Sequence, residues 1–192
     1  MRLLRFARND NQEKNKIGFT LIEFLVTSSI IMIMLGVVIT YSQQGESINK
    51  LNRNIERISF DIRRVENLSM QTKQIDNQKI CGWGIHFDLS KEDGDKKYII
   101  FADYCDNTTL TGNHYYDSGE EKETIKLSNG IVIKEVNIQD IVFVPPEPNL
   151  FLVALDTAFM SSGDKGNIIV GSEKGKLSKT ITIDWIGNVN VK

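Results

Sequence analysis

Polar and apolar positions follow three rhythms along this chain. From Phe19 to Tyr41 the side chains are uncharged except for Glu23. At the helical rise per residue that run spans about 30 Å, the thickness of a bilayer's hydrocarbon core, and it predicts a membrane-spanning helix. Farther on, Ile48, Leu51, Ile55, Ile58, Ile62, Val65 and Leu68 recur at steps of three or four, with Arg, Glu, Asn and Ser between them. That is the signature of an amphipathic helix. No Pro or Gly interrupts it from Glu46 to Gln78, so the helix is predicted to continue from the spanning segment, with Gly45 as the weak point. The apolar stripe has two uses, packing on its own domain's sheet or forming a coiled coil with another chain. Three heptads are few for a coiled coil and the following strands need an apolar cover, which favours the sheet.

From Ile80 the period shortens to two. Segments 84–89, 97–103, 130–138, 141–144, 150–155, 167–171 and 179–186 read as strands, rich in Ile, Val, Phe and Tyr and separated by Gly, Asn, Asp and Ser. Ile186-Gly187-Asn188-Val189 reads as a tight hairpin whose Gly-Asn pair supplies positive φ, with 189–191 as a short last strand. The expected fold class is α+β: a long N-terminal helix, half transmembrane and half amphipathic, packed on an antiparallel β-sheet domain of about 110 residues, enough for a single core. The organisation follows as 1–18 leader, 19–41 spanning helix, 42–79 amphipathic continuation and 80–192 β domain.

Glu23 complicates the first segment. An ionisable group inside a spanning helix costs at least about 2.5 kcal/mol on insertion scales and calls for a partner, yet no cation lies within a turn or two downstream. Cutting the chain between Gly18 and Phe19 creates one, because it frees an α-amino group at the membrane surface. In a bundle of such helices the carboxylate of one chain then pairs with the terminal ammonium of the next.

Lys16-Ile17-Gly18-Phe19-Thr20-Leu21-Ile22-Glu23, a basic leader ending in Gly and followed by an apolar helix, resembles the class III signal of type IV pilins and type II secretion pseudopilins. The resemblance implies cleavage after Gly18 by a prepilin peptidase, Phe19 as the methylated N-terminus, and Glu23 as the carboxylate needed for filament assembly. It also implies other pilin or pseudopilin subunits and an inner-membrane assembly platform as partners. The plainer readings fit less well. A secretory signal puts its small-residue site after the apolar run, where Gly36-Val37-Val38-Ile39-Thr40 offers none. An uncleaved anchor leaves Glu23 unexplained. One departure from the family is the lack of a Pro in the spanning helix: the prolines are Pro145, Pro146 and Pro148, so a kink would have to come from Gly36 or Gly45.

Charge sets the orientation. Residues 1–18 carry Arg2, Arg5, Arg8, Lys14 and Lys16 against Asp10 and Glu13, which keeps the leader cytoplasmic and puts the β domain outside, anchored by one pass through the cytoplasmic membrane and its lipid. Net charge is −2 for the whole chain; without the leader's five bases and two acids, 18 basic and 23 acidic residues leave −5. An acidic exterior argues against a general nucleic-acid grip.

Three further stretches, Arg63-Arg64-x-x-x-Leu68, Cys81-Gly82-Trp83-Gly84-Ile85-His86-Phe87 and Ile183-Asp184-Trp185-Ile186-Gly187-Asn188-Val189, are similar to the H-type minor pseudopilins, which implies a β domain of two sheets. Cys81 and Cys105 are the only cysteines. An even count outside the cytoplasm points to a disulfide, the alternative being two small buried hydrophobes.

Chemistry is sparse. His86 and His114 lack metal-ligand spacing, and no Cys-x-x-Cys, Gly-x-Ser-x-Gly or Walker loop occurs. No catalytic residue, metal or cofactor is expected. Asp93-Gly94-Asp95 departs from the EF-hand pattern and reads as a turn, and Phe143-Val144-Pro145-Pro146-Glu147-Pro148 as a stiff connector. His114-Tyr115-Tyr116-Asp117 and Glu120-Glu121-Lys122-Glu123 read as one long polar loop, the expected place for recognition. The function expected is that of a minor structural subunit of a pilus or pseudopilus. The competing readings are a monomeric membrane-anchored binding domain and a DNA-uptake pilin.

Overall fold

Good helix formers and the absence of Pro let a single helix, α1, run from Leu21 to Ser69 through both Gly36 and Gly45. The computed structural model describes residues 18–192 except 72–73, 76–77, 107, 110, 147–148 and 176, with backbone alone at 40–44. Of the cytoplasmic leader expected at 1–18, residues 1–17 lie outside the described residues. The chain divides into two compact units, Met1–Gln43 and Gln44–Lys192. In the first, the side chains of α1 are exposed almost throughout, Leu21, Phe24, Ile31, Met32 and Val38 among them.

In the second unit α1 buries one stripe, Leu51, Ile55, Ile58, Ile62 and Val65, each at most 3% exposed. A buried aliphatic side chain of this kind contributes about 1.5–3 kcal/mol relative to an exposed one. Ile48 and Leu68, at the ends of the expected stripe, are only partly covered. The stripe joins Ile80, Ile85, Phe87, Tyr98, Ile100, Ile125, Ile133, Ile141, Ile168, Ile181 and Ile183 in one core, so it packs on its own sheets.

The strands are β1 Gln74–Ile75, β2 Gln78–His86, β3 Lys97–Tyr104, β4 Glu121–Lys126, β5 Ile131–Val136, β6 Ile138–Val144, β7 Asn149–Ala154, β8 Lys165–Ser172, β9 Ser178–Asp184 and β10 Val189–Val191. They form two antiparallel sheets. One has the order β4-β3-β2-β6-β7 with β1 paired to β2; the other is β10-β9-β8-β5.

Four expectations need correction. The helix ends at Ser69 rather than continuing to Gln78. Ser69 is buried and its hydroxyl bonds the Glu66 carbonyl at 2.7 Å, while the chain turns there to start β1 and β2. The strand expected at 84–89 begins at Gln78. The run 130–138 is not one strand: it breaks at Asn137, and the chain passes from one sheet to the other between β5 and β6. Asn137 holds that crossing by donating to the Lys165 carbonyl at 2.9 Å and accepting the Asn167 N–H at 2.6 Å. Finally, Glu121, Lys122 and Glu123, read as part of a loop, belong to β4, an edge strand in which Ile125 alone is buried. Charged edge strands of this kind protect a sheet from further pairing and hide their alternation.

The last turn also differs in detail. Gly187 has φ 90°, whereas among the described residues Asn188 has no positive φ; the turn covers Trp185–Asn188 and is held by Asp184. Its Oδ1 accepts the N–H groups of Ile186 at 3.1 Å and Asn188 at 2.8 Å. Those bonds keep the Asp184 carboxyl below its usual pKa, the Asn188 amide contributing most.

Candidate functional site

The N-terminal junction is built from backbone that has not yet become helical. Gly18, Phe19 and Thr20 precede α1, with open space around Gly18 and Phe19 77% exposed. Thr20 caps the helix. Its Oγ1 accepts the Glu23 N–H at 3.3 Å and its carbonyl accepts the Phe24 N–H at 3.1 Å, the arrangement that satisfies donors left orphaned in a first helical turn. Glu23 is thereby the third residue of the helix, its carboxylate in the first turn, where the macrodipole is positive.

This explains part of what the sequence left open. Thr20-x-x-Glu23 has the spacing of a capping box, a signal present in the sequence itself. A helix N-terminus offers the carboxylate only about half an elementary charge. Among the described residues no cation pairs with it.

Beyond the cap, Leu21–Ile39 is long and apolar enough to cross a membrane. Its three consecutive hydroxyls, Thr27, Ser28 and Ser29, bond carbonyls three residues back at 3.0, 3.0 and 2.8 Å. Their polarity is satisfied within the helix, so none requires a partner in an apolar surrounding.

Residues 14–39 match the prokaryotic N-terminal methylation motif. The matched stretch holds Gly18, Phe19 and Glu23 and ends at Ile39, the last residue of the apolar span. No curated protein matches the chain. Its structure is similar to that of the minor pseudopilin EpsH from the Type 2 Secretion System of Vibrio cholerae, at 8% identity and a TM-score of 0.40, over 74% of this chain and 96% of that one. That likeness is too distant to inform on function.

In the β domain, Cys81 and Cys105 are bonded, with Cα atoms 5.0 Å apart. Beside the bridge lies a set of buried acids. Asp103 is fully buried and accepts the N–H of Asn113 at 3.3 Å, the N–H of His114 at 3.2 Å and the Nδ1 of His114 at 3.2 Å. Glu120, 7% exposed, accepts the N–H groups of Tyr104 at 3.0 Å and Asp117 at 2.9 Å. Burial pushes both carboxyls above their usual pKa, and the bonds from His114 oppose this at Asp103. Gly112 is required here, because a Cβ would stand 2.0 Å from Asp103 Oδ2.

The two carboxylates therefore bind the loop 112–120 to its own domain. Tyr116 packs on His86 at 4.4 Å and on Phe101 at 5.5 Å between ring centres, while Tyr115 is 37% exposed. His86 is itself buried, its Nδ1 2.7 Å from Asp140 Oδ1. His114 stacks on Phe151 at 4.4 Å. Phe159, in edge contact with Phe151 at 5.8 Å, is more than half exposed, as are Trp185 and Phe60.

The turn at Asp93 closes with a Lys96–Asp93 pair at 2.9 Å, and among the described residues no group of His, Cys, Asp and Glu could hold a metal ion. Pro145-Pro146, joined by a cis bond, form the turn between β6 and β7; Glu147 and Pro148 lie outside the described residues.

Proposed function

We propose that this chain is a prepilin subunit, cut after Gly18 by a prepilin peptidase and assembled through the apolar part of α1 into a pilus or pseudopilus as a minor subunit. The carrying observation is the junction: an exposed Gly18-Phe19 step immediately before a Thr20 cap that places Glu23 in the first helical turn. Cleavage there leaves a single residue ahead of the cap, with the new ammonium close to the helix end. The Glu23 carboxylate of one subunit then neutralises the Phe19 ammonium of the next, which offsets the cost of both charges in lipid.

The membrane is the cytoplasmic one, crossed once, with the basic leader inside and the β domain outside. Lipid and the assembly platform are the remaining partners. Intact mass and N-terminal sequencing of the protein made beside a prepilin peptidase test the reading. A mature chain starting at a methylated Phe19 is expected; a chain starting at Met1, or cut elsewhere, overturns it.

A further inference from the structure

The four-stranded sheet ends in a three-residue strand, β10, and leaves the adjoining flank of α1 uncovered. Between them lies a cleft of about 530 Å³ whose lining includes Asn52, Ile55, Phe60 and Val191 together with the charged Glu56, Arg63 and Lys179. Two observations show that the cleft is short of an occupant. Two residues of its lining, Asn52 and Ser59, carry buried side-chain oxygens without a hydrogen-bond partner, an unfavourable arrangement. Phe60, a large apolar side chain of the same flank, is 66% exposed.

The edge of β10 supplies the means of binding. Thr180 and Lys192 exchange both backbone hydrogen bonds, at 3.0 and 2.9 Å, and Asp184 N–H bonds the Asn188 carbonyl at 3.1 Å. Antiparallel pairing alternates, so with Asn190 opposite Thr182 the bonded positions are 188, 190 and 192. The N–H and C=O groups of Val189 and Val191 consequently face away from β9, along the open edge. An extended segment laid there meets backbone groups on one side and the Ile55 and Phe60 flank of α1 on the other.

Charge selects among such segments. Among the described residues Arg63 and Lys179 have no ion-pair partner, and they outnumber Glu56 in the lining of the cleft. Two β10 edges brought together would oppose like charges. The chain's other strands offer no complement: β4 carries Glu121 and Glu123 against Lys122 and Lys126, with Glu123 already held by Arg64 at 2.9 Å, β5 carries Lys134 against Glu135, and β7 is uncharged. The occupant is therefore a different chain.

We propose that the cleft between α1 and β10 accepts an extended strand from a partner protein, one that alternates apolar with acidic side chains and adds to the sheet beside β10. Its backbone pairs with Val189 and Val191, its apolar side chains cover Ile55 and Phe60, and its carboxylates meet Arg63 and Lys179.

Full-length protein in detergent micelles, offered nine-residue peptides alternating valine with glutamate or valine with lysine, tests this. The glutamate peptide is expected to bind at least about tenfold tighter than the lysine peptide and to protect the Val189 and Val191 amides from hydrogen exchange. Val191→Pro removes an edge donor without touching the β9 pairing and is expected to weaken binding about tenfold at unchanged thermal unfolding. Arg63→Glu with Lys179→Glu is expected to reverse the preference. Failure of the glutamate peptide to bind, equal binding of both peptides, or binding without protection at Val189 and Val191 overturns the proposal. So does self-association of the chain that Val191→Pro abolishes, since the occupant is then a second copy.

Discussion

The Tyr98 hydroxyl donates a 2.5 Å hydrogen bond to the Asp61 carboxylate, joining β3 to α1 inside the core. Asp61 is 4% exposed, and Arg64 and Arg57 reach it only at 3.8 and 4.0 Å, from the surface. A buried acid in the middle of an apolar stripe is tolerable because of that hydroxyl. Removing it with Tyr98→Phe leaves the carboxylate short of a partner, and the expected loss is about 1–3 kcal/mol in denaturant titration. Adding Asp61→Leu should recover part of that loss, since the unpaired charge is then gone. An equal or larger loss in the double variant would refute the pairing.

Tyr98 also carries a pH dependence. Burial, followed by the bond to Asp61, raises its pKa well above the ordinary tyrosine value. A raised acid favours the folded state through its protonated form, so the contribution is complete below the unfolded value of about 10 and is lost as pH rises beyond it. In an alkaline absorbance titration Tyr98 is expected to ionise last, together with unfolding. A Tyr98→Phe protein should lose that late step.

Asp103 orders the loop that follows the disulfide. Asp103→Ala leaves the N–H groups of Asn113 and His114 without an acceptor, at an expected cost of about 1–3 kcal/mol. Hydrogen exchange at those two amides should rise far more than in the strands. Gly112→Ala should do the same by a steric route, because its new methyl collides with the carboxylate.

Reduction of Cys81–Cys105 opens a loop of 24 residues. Chain entropy puts the expected loss near about 3 kcal/mol, visible as a lower thermal midpoint in reductant. A Cys81→Ser, Cys105→Ser protein should match the reduced wild type.

At the junction, Thr20→Ala removes the cap at an expected cost of about 1 kcal/mol to the first turn. Faster exchange of the Glu23 amide reports it. Glu23→Gln should leave cleavage intact and weaken assembly; cross-linking between subunits unchanged by that substitution would argue against charge pairing.

How far the sequence carries differs from element to element. The apolar run, the α1 stripe and most strands were legible because each rests on side chains a few positions apart. The edge strand β4 was not, since only Ile125 is buried and charges occupy the remaining positions. The end of α1 was equally hidden, because neither Pro nor Gly stands near Ser69. The pair His86–Asp140 joins residues 54 positions apart, a relation that no local pattern encodes.

The sequence by itself determined the Gly18-Phe19 step, the solitary Glu23 and the long apolar helix, because a cap, a charge and a hydrophobic period are properties of neighbouring residues. Tertiary structure alone decided that Asn137 sends the chain from one sheet to the other, that Tyr116 is packed on His86 rather than offered to a partner, and that β10 ends as an open edge beside an uncovered helix flank. Each of those depends on which distant strands come together, and burial and hydrogen-bond satisfaction are settled only once they have.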